Sequence, residues 1–407
     1  MNNSVRAFED VRQALLAAAE PVAEIESVPT AAALGRVLAA GQVSGLAVPP
    51  LDNSYMDGYA VSAADVPVAG TRLKVSQRIP AGSVGRSLEA GTAARIFTGA
   101  PIPHGGDAVV MQELCEVDGD SVVINHLPRA GEWVRRAGED IALGQTVLPA
   151  GVRLNPQMLG MAASVGCASL PVFRRLKVAL FSTGDELVMP GEPLPPGAIY
   201  NSNRYVLRGL LEALGCEVSD LGIVPDRLDA TRAALREAAG HNDLIVTSGG
   251  VSMGEEDHIK PAVTAEGRLD SWLVAMKPGK PVAFGRVNDP AGGKGAAFIG
   301  LPGNPVSSFV TFILLVRPFV LRSQGITQCL PKAIPLTAGY DWPKPDRRRE
   351  FLRARIAADG RVELFPNQGP AVLTSTVWAE GVVDTPSGQV VKAGDTVSFI
   401  PYSELLS

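Results

Sequence analysis

Leu244-Ile245-Val246-Thr247-Ser248-Gly249-Gly250-Val251-Ser252-Met253-Gly254-Glu255-Glu256-Asp257 is the stretch that decides the fold. Residues 244–246 form an apolar, β-branched run without alternation, the pattern of a strand buried on both faces. Thr247-Ser248-Gly249-Gly250 stops the strand, and the paired glycines let backbone N–H groups approach a ligand with no Cβ in the way. The acidic triplet Glu255-Glu256-Asp257 precedes a helix expected from His258. An oxyanion could sit on the amides and a hard cation on the carboxylates. Taken alone, the stretch reads equally well as an ordinary strand-to-helix turn whose acidic start is solvated.

On either side the texture alternates. Strands are expected at 177–181, 216–224, 272–276, 282–287 and 296–301, with helices at 203–214, 230–239, 258–265 and 306–319; Ser202 is a candidate cap for the first helix. Over 176–325 this predicts a doubly wound α/β domain, whose ligands bind at the carboxyl ends of the strands. The residues that follow those strands are Ser182-Thr183-Gly184-Asp185-Glu186, Val224-Pro225-Asp226, the Thr247–Gly250 turn, Lys277-Pro278-Gly279-Lys280-Pro281 and Leu301-Pro302-Gly303-Asn304-Pro305. One rim would then combine backbone amides, the carboxylates Glu186, Asp226 and Asp257, and the cations Lys277 and Lys280.

Clustered carboxylates raise one another's pKa unless a cation neutralises them. Oxygen donors without His or Cys select Mg²⁺, which commonly bridges protein carboxylates to substrate phosphates. The lysines supply point charges for phosphate or another tetrahedral oxyanion. The usual nucleotide signatures are missing: no GxxxxGK(S/T) occurs, no GxGxxG opens the first helix, and Pro281 stands where a P-loop would carry Ser or Thr. Singly, each feature has a plain reading: solvated loop lysines, Asp226 as a turn or cap residue, Asn304 as a turn. Their joint placement on one rim argues for function.

The flanks read differently. A helix is expected at 4–19 from Val5, Phe8, Val11, Leu15 and Leu16, and a second at 31–39; residues 155–165 return to helical texture and are expected to pair with these. Between them, short β-like runs at 59–61, 73–75, 94–97, 108–111 and 121–124 alternate with Gly/Pro turns. The expected organisation is a small helical/linker domain (1–43 and 145–175) carrying an inserted all-β domain (44–144), the α/β domain (176–325) and a C-terminal β domain (326–407). The last has candidate strands at 333–338, 351–356, 362–365 and 397–400.

A chain of 407 residues exceeds one ordinary core, and its 46% hydrophobic and 19% charged residues are those of a soluble globular protein. Net charge of -5 and 5% aromatics argue against a nucleic-acid partner. The scattered Cys115, Cys167, Cys216 and Cys329 form no CxxC pair and no metal-ligand spacing with the four histidines, which argues against a zinc site or a disulfide framework. The N-terminus lacks a signal-peptide core, and the apolar run 309–316 is interrupted by Arg317-Pro318. A reducing cytoplasm and no membrane partner are expected.

The motifs TSGGVSMG (247–254), KPGKP (277–281) and LPGNPVS (301–307) closely resemble those of the molybdopterin molybdenumtransferase family, the MoeA type related to the E domain of gephyrin. NSYMDGYAV (53–61), RIFTGAPIP (95–103), RAGEDI (136–141) and FSTGDEL (181–187) look like further motifs of that family, in the expected order. The resemblance thus covers nearly the whole chain. The TSGG turn alone would also suit small adenylyltransferases sharing this molybdopterin-binding type of α/β domain.

The resemblance implies an enzyme that inserts molybdate into adenylylated molybdopterin and releases AMP in a Mg²⁺-dependent step. It implies an elongated homodimer, with an active site between the α/β domain of one subunit and the β domain of the other, and contacts with other proteins of molybdenum cofactor synthesis. Carried over, Glu186, Asp226 and Asp257 organise Mg²⁺ and the adenylyl phosphates. Ser182, Thr183, Gly184, Ser248, Gly249, Gly250, Ser252, Pro302, Gly303 and Asn304 cradle phosphate or pterin, and Lys277 and Lys280 hold molybdate. Asp57, Thr98 and Asp140 come from the β domain; the proton for a leaving oxo group is expected from water or a carboxylic acid, with Asp57 or Asp140 as candidates. Arg349 or Arg353 completes the anion site, and Ser375 stands where related proteins carry a serine-rich segment; the same basic run reads as a solvated edge guarding a strand. The rival readings are a molybdopterin adenylyltransferase and a scaffold that reuses the rim for a peptide partner.

Overall fold

The structure, a computed structural model, describes residues 5–251 and 258–406. Its largest sheet has seven strands: β1 (Val5–Arg6), β2 (Lys177–Thr183), β3 (Glu217–Val224), β4 (Leu244–Ser248), β5 (Gly267–Val274), β6 (Pro281–Val287) and β7 (Ala296–Leu301). The order is β1-β5-β6-β7-β4-β2-β3, so β4 lies inside the sheet with all five residues buried. That burial explains the unalternated LIV run.

Strands β3, β2, β4 and β7 are mutually parallel, whereas β6 runs antiparallel to both β7 and β5. The sheet is therefore mixed, not wholly parallel. The cause is loop length: residues 275–280 join β5 to β6, too few for a crossover, and a short link forces an antiparallel neighbour. The same geometry brings the Lys277 loop to the edge where β2, β3, β4 and β7 end.

Alternation along the strands builds two cores. Val178, Leu180, Val246 and Ile299 face one side with α1 (Phe8–Ala18), α3 (Ser202–Ala213) and α6 (Pro305–Ser323). Ala179, Phe181, Ile245 and Phe298 face the other with α4 (Leu228–His241) and α5 (Ile259–Glu266). Helix α6 is apolar and long enough to cross a membrane, but 94% of it is buried within the protein, so it is a core helix. It continues through Arg317-Pro318 because residues Phe312–Val316 adopt a π-helical turn, which relieves the clash of the proline ring with the preceding turn.

The linker differs from expectation. Helix α1 forms, but Phe8, Val11 and Leu15 bury into the α/β core, so it does not pair with α2 (Pro156–Ser164). The expected helix at 31–39 is only a 3₁₀ turn, Thr30–Ala32; beyond it Gly35 takes φ +72° and the chain pairs across to 152–172. Ile25–Pro29 pairs with Ser169–Phe173, and Gln42–Val43 with Thr146–Leu148. Those ribbons carry the inserted domain, a six-stranded sheet between Gly58 and Ile124 with its own core.

The C-terminal sheet contains Ile334–Thr337, β8 (Arg349–Ile356), Val362–Leu364, Gly381–Thr385 and Thr396–Pro401. Its sixth strand is Met276–Lys277, paired parallel to β8 so that Lys277 faces Glu350 in register. The loop at the α/β edge is thus also part of the C-terminal sheet.

Candidate active site

From β2 the chain crosses to β3 on one side, and from β3 it crosses back to β4 on the other side of β2. The helices that follow β2 and β4 lie on opposite faces, which opens a crevice at the carboxyl ends of these two strands. There the buried hydroxyls of Ser182 and Ser248 share a hydrogen bond of 3.1 Å, and the buried Thr183 Oγ1 has no hydrogen-bond partner among the described residues.

Gly249 and Gly250 then take φ +89° and +64°. A Cβ on Gly249 would lie 2.7 Å from the Thr183 carbonyl oxygen; one on Gly250 would lie 2.5 Å from Ile259 Cγ1 and 2.9 Å from Thr183 Oγ1. Only glycine fits either position. Gly303 reaches the same turn, a Cβ there lying 3.8 Å from Gly249 Cα. Its carbonyl accepts from Asn203 Nδ2 at 2.7 Å. Pro302 is buried, while Asn304 is exposed at the start of α6. At Gly184 (φ +148°) a Cβ would lie 2.7 Å from Glu186 Oε2, so the exposed Glu186 carboxylate folds over this glycine. Asp226 stands just past the end of β3.

Ser182, Thr183, Gly184, Ser248, Gly249, Gly250, Pro302 and Gly303 therefore meet at one edge, with Glu186, Asp226 and Asn304 beside them. Ser252 and Asp257 lie outside the described residues. Among the described residues no three Asp, Glu, His or Cys side chains gather to hold a metal. The donor chemistry of Glu186 and Asp226, carboxylates with no thiol or imidazole, still fits a hard cation, provided Asp257 and substrate oxygens complete its shell.

Lys277 is placed by the C-terminal domain. Its Nζ lies 3.0 Å from Glu350 Oε1 and 3.5 Å from Asp346 Oδ2. Glu350 is only 1% exposed, and its other oxygen accepts from Trp342 Nε1 at 2.8 Å and the Asp346 amide at 2.9 Å. Arg348 Nη2 lies 2.9 Å from the same Asp346 oxygen that faces Lys277. Lys277 was expected here, but Arg348 and the carboxylates Asp346 and Glu350 escaped the sequence reading, which weighed Arg349 and Arg353. Lys280 is exposed and has no ion pair among the described residues.

Arg349 and Arg353 are turned inward, a correction to the expected anion site. Arg349 makes two 2.6 Å bonds to Asp384, pairs with Glu9 and lies over Phe8 and Phe351; it bolts α1 to the C-terminal sheet. Arg353 is fully buried and donates to Ser375 Oγ, Phe351 O and Gly369 O at 3.2–3.3 Å. Ser375 is likewise buried, its hydroxyl donating to Val372 O at 2.6 Å. Neither Arg353 nor Ser375 can meet a ligand where it stands.

In the inserted domain Asp57 Oδ1 accepts from the Thr98 amide at 2.7 Å and its hydroxyl at 2.8 Å. These bonds hold the Asp57 carboxyl below the usual carboxylate range. Thr98→Val should lower activity about tenfold and Thr98→Ser should restore it, since the hydroxyl orients a charged acceptor; equal rates for both variants would reject that role. Asp140 is exposed, its amide donating to Val48 O at 3.0 Å. Among the described residues no hydrogen bond or ion pair joins 44–144 to 176–325 of the same chain.

These features define a multidomain α/β plus β protein with its cleft at the switch point of a molybdopterin-binding type of domain. Residues 179–322 match the family described as a probable molybdopterin binding domain, residues 6–166 the MoeA N-terminal region (domain I and II), and residues 335–402 the MoeA C-terminal region (domain IV). The chain is 39% identical to the molybdopterin molybdenumtransferase of Haemophilus influenzae over 382 residues, 92% of this chain and 93% of that one. It is 37% identical to molybdopterin molybdenumtransferase 2 of Mycobacterium tuberculosis, over 97% of this chain and 98% of that one. The crystal structure of a molybdopterin biosynthesis MoeA protein from Pyrococcus horikoshii superposes with a TM-score of 0.83 at 31% identity, covering 98% of this chain and 99% of that one. The chain belongs to the molybdopterin molybdenumtransferase (MoeA) family.

Proposed function

We propose that this protein is a transferase of molybdenum cofactor synthesis that places molybdenum on molybdopterin. The observation that carries the reading is the glycine turn Gly249-Gly250 between Ser182, Ser248 and Gly303, at the same edge as the Lys277 loop. We take the substrate to be adenylylated molybdopterin, with molybdate as the second substrate and AMP as a product. Amides and hydroxyls of the turn suit phosphate or pterin oxygens. Lys277 and Arg348 suit a tetrahedral dianion, whose charge must be offset before it can approach an anionic dithiolene.

Glu186, Asp226 and Asp257 would hold Mg²⁺, which when bound polarises a phosphoanhydride and steadies charge on the leaving phosphate. The proton needed by a departing oxo group comes from water or from a carboxylic acid, Asp57 or Asp140. We take the enzyme to be a homodimer in which Asp57, Thr98 and Asp140 act on the partner's substrate.

The test is AMP release from adenylylated molybdopterin with and without molybdate. Release that depends on molybdate, and that falls about a hundredfold or more in Asp226→Asn, is the expected result. Release at the same rate without molybdate, or unchanged in Asp226→Asn, would sink the reading.

A further inference from the structure

The two carboxylates of the Lys277–Arg348 cluster do not have equal standing. Glu350 is sealed in, with three hydrogen bonds, and cannot leave without stranding Lys277 and Trp342. Asp346 is different. Its side chain is 24% exposed, and a single oxygen, Oδ2, bridges Lys277 at 3.5 Å and Arg348 at 2.9 Å. Its backbone is pinned at both ends, the amide to Glu350 Oε2 at 2.9 Å and the carbonyl accepting from the Gly388 amide at 2.9 Å. The side chain is gripped by Arg348 at both oxygens, Oδ1 accepting from its amide at 3.0 Å and its Nε at 3.1 Å and Oδ2 from its Nη2 at 2.9 Å. This is the two-point geometry an oxyanion would take there, and unlike Glu350 the Asp346 carboxylate faces solvent. Lys277 and Arg348 are themselves 39% and 33% exposed, so a small ion can reach both from solvent.

Two cations and two carboxylates sum to zero. A dianion arriving at a neutral cluster gains little attraction, and it would meet Asp346 between the two groups that should bind it. We propose that the Asp346 carboxylate is an internal stand-in for the substrate oxyanion: it fills the seat between Lys277 and Arg348 and rotates out when molybdate enters. Glu350 stays and keeps the Lys277 ammonium aimed at the seat as a positioning residue. The device sets a threshold. Every anion must displace the same carboxylate, so weakly held monoanions such as chloride are kept off a site that would otherwise carry a net positive charge. The inference rests on Lys277 being at the oxyanion site, as proposed above.

The experiment is calorimetric titration of the purified full chain with molybdate, tungstate and the isosteric monoanion perrhenate, each alone. Asp346→Asn keeps an acceptor for the Arg348 amide, now 3.0 Å from Oδ1, and removes the competing charge. It should tighten all three oxyanions, molybdate and tungstate by about five- to tenfold and perrhenate by less, and chloride should begin to compete. Asp346→Ser, which also retains a short polar cap, should give the same pattern, and thermal unfolding of both variants checks that the fold survives. Unchanged or weaker binding of molybdate in both variants would overturn the role of Asp346. Lys277→Met tests the underlying site separately. Loss of molybdate binding is expected, whereas binding as tight as wild type would show that the oxyanion site itself is elsewhere.

Discussion

Gly249→Ala should lose about a hundredfold or more of its activity while remaining folded. The added methyl would sit 2.7 Å from the Thr183 carbonyl oxygen, and the residue already takes φ +89°, where a side chain is strained. The carbonyl belongs to Thr183, the last residue of β2, which is held in register with Val224 of β3, so it cannot yield cheaply. The turn must open instead, moving its amides by a substantial fraction of an ångström. The stability cost should be about 1–3 kcal/mol, the scale of one strained backbone position. Gly292→Ala is the control: φ is +81°, no atom lies within 4 Å of its Cβ, and it sits in the β6–β7 connection at the opposite end of the sheet. It should show comparable backbone strain and near-normal AMP release. Similar activities for the two variants would contradict a role for the Gly249 turn in binding.

Arg353→Ala should give the largest loss of stability, about 3–5 kcal/mol, read by urea unfolding. The side chain is fully buried, and removing it leaves a cavity and three acceptors without their donor. Burial pushes its guanidinium down to about 10, so the charge itself is held at a cost. Arg353→Met, which keeps most of the volume and removes that charge, should therefore lose less than Arg353→Ala. The damage should reach the cleft. The Arg353 amide and carbonyl bond Gln368, its guanidinium bonds Gly369 O, and the neighbouring Pro370 carbonyl accepts the Val306 amide at the start of α6. Loosening this loop frees the first turn of α6 behind Gly303 and Asn304, so KM should rise in both variants even where folding is retained.

How far the sequence could be read depended on how local the signal was. The unalternated LIV run and the glycines after it are local, and they placed β4 and its turn correctly. The expectation of a parallel sheet also brought five loops to one edge, although β6 runs the other way because residues 275–280 form so short a link. The linker was misread because its partners are remote. Residues 25–29 pair with 169–173, and nothing within 31–39 announces that its apolar residues serve such a ribbon and not a helix. In the C-terminal domain the choice between Arg348, Arg349 and Arg353 needed the register of β8. That strand is buried at every position from Glu350 to Arg353, so no alternation marks which arginine faces the cleft. Strand Gly381–Thr385 begins at a glycine whose Cβ would strike Phe399, a requirement of packing that sequence composition alone does not carry.

The most direct test of the account is a crystal of this protein grown with molybdate and AMP. The account predicts the AMP phosphate at the Gly249-Gly250 turn beside Ser182 and Ser248, and molybdate between Lys277 and Arg348 with the Asp346 side chain turned away. Molybdate or AMP bound only away from the ends of β2 and β4, with the Lys277 loop untouched, would contradict it.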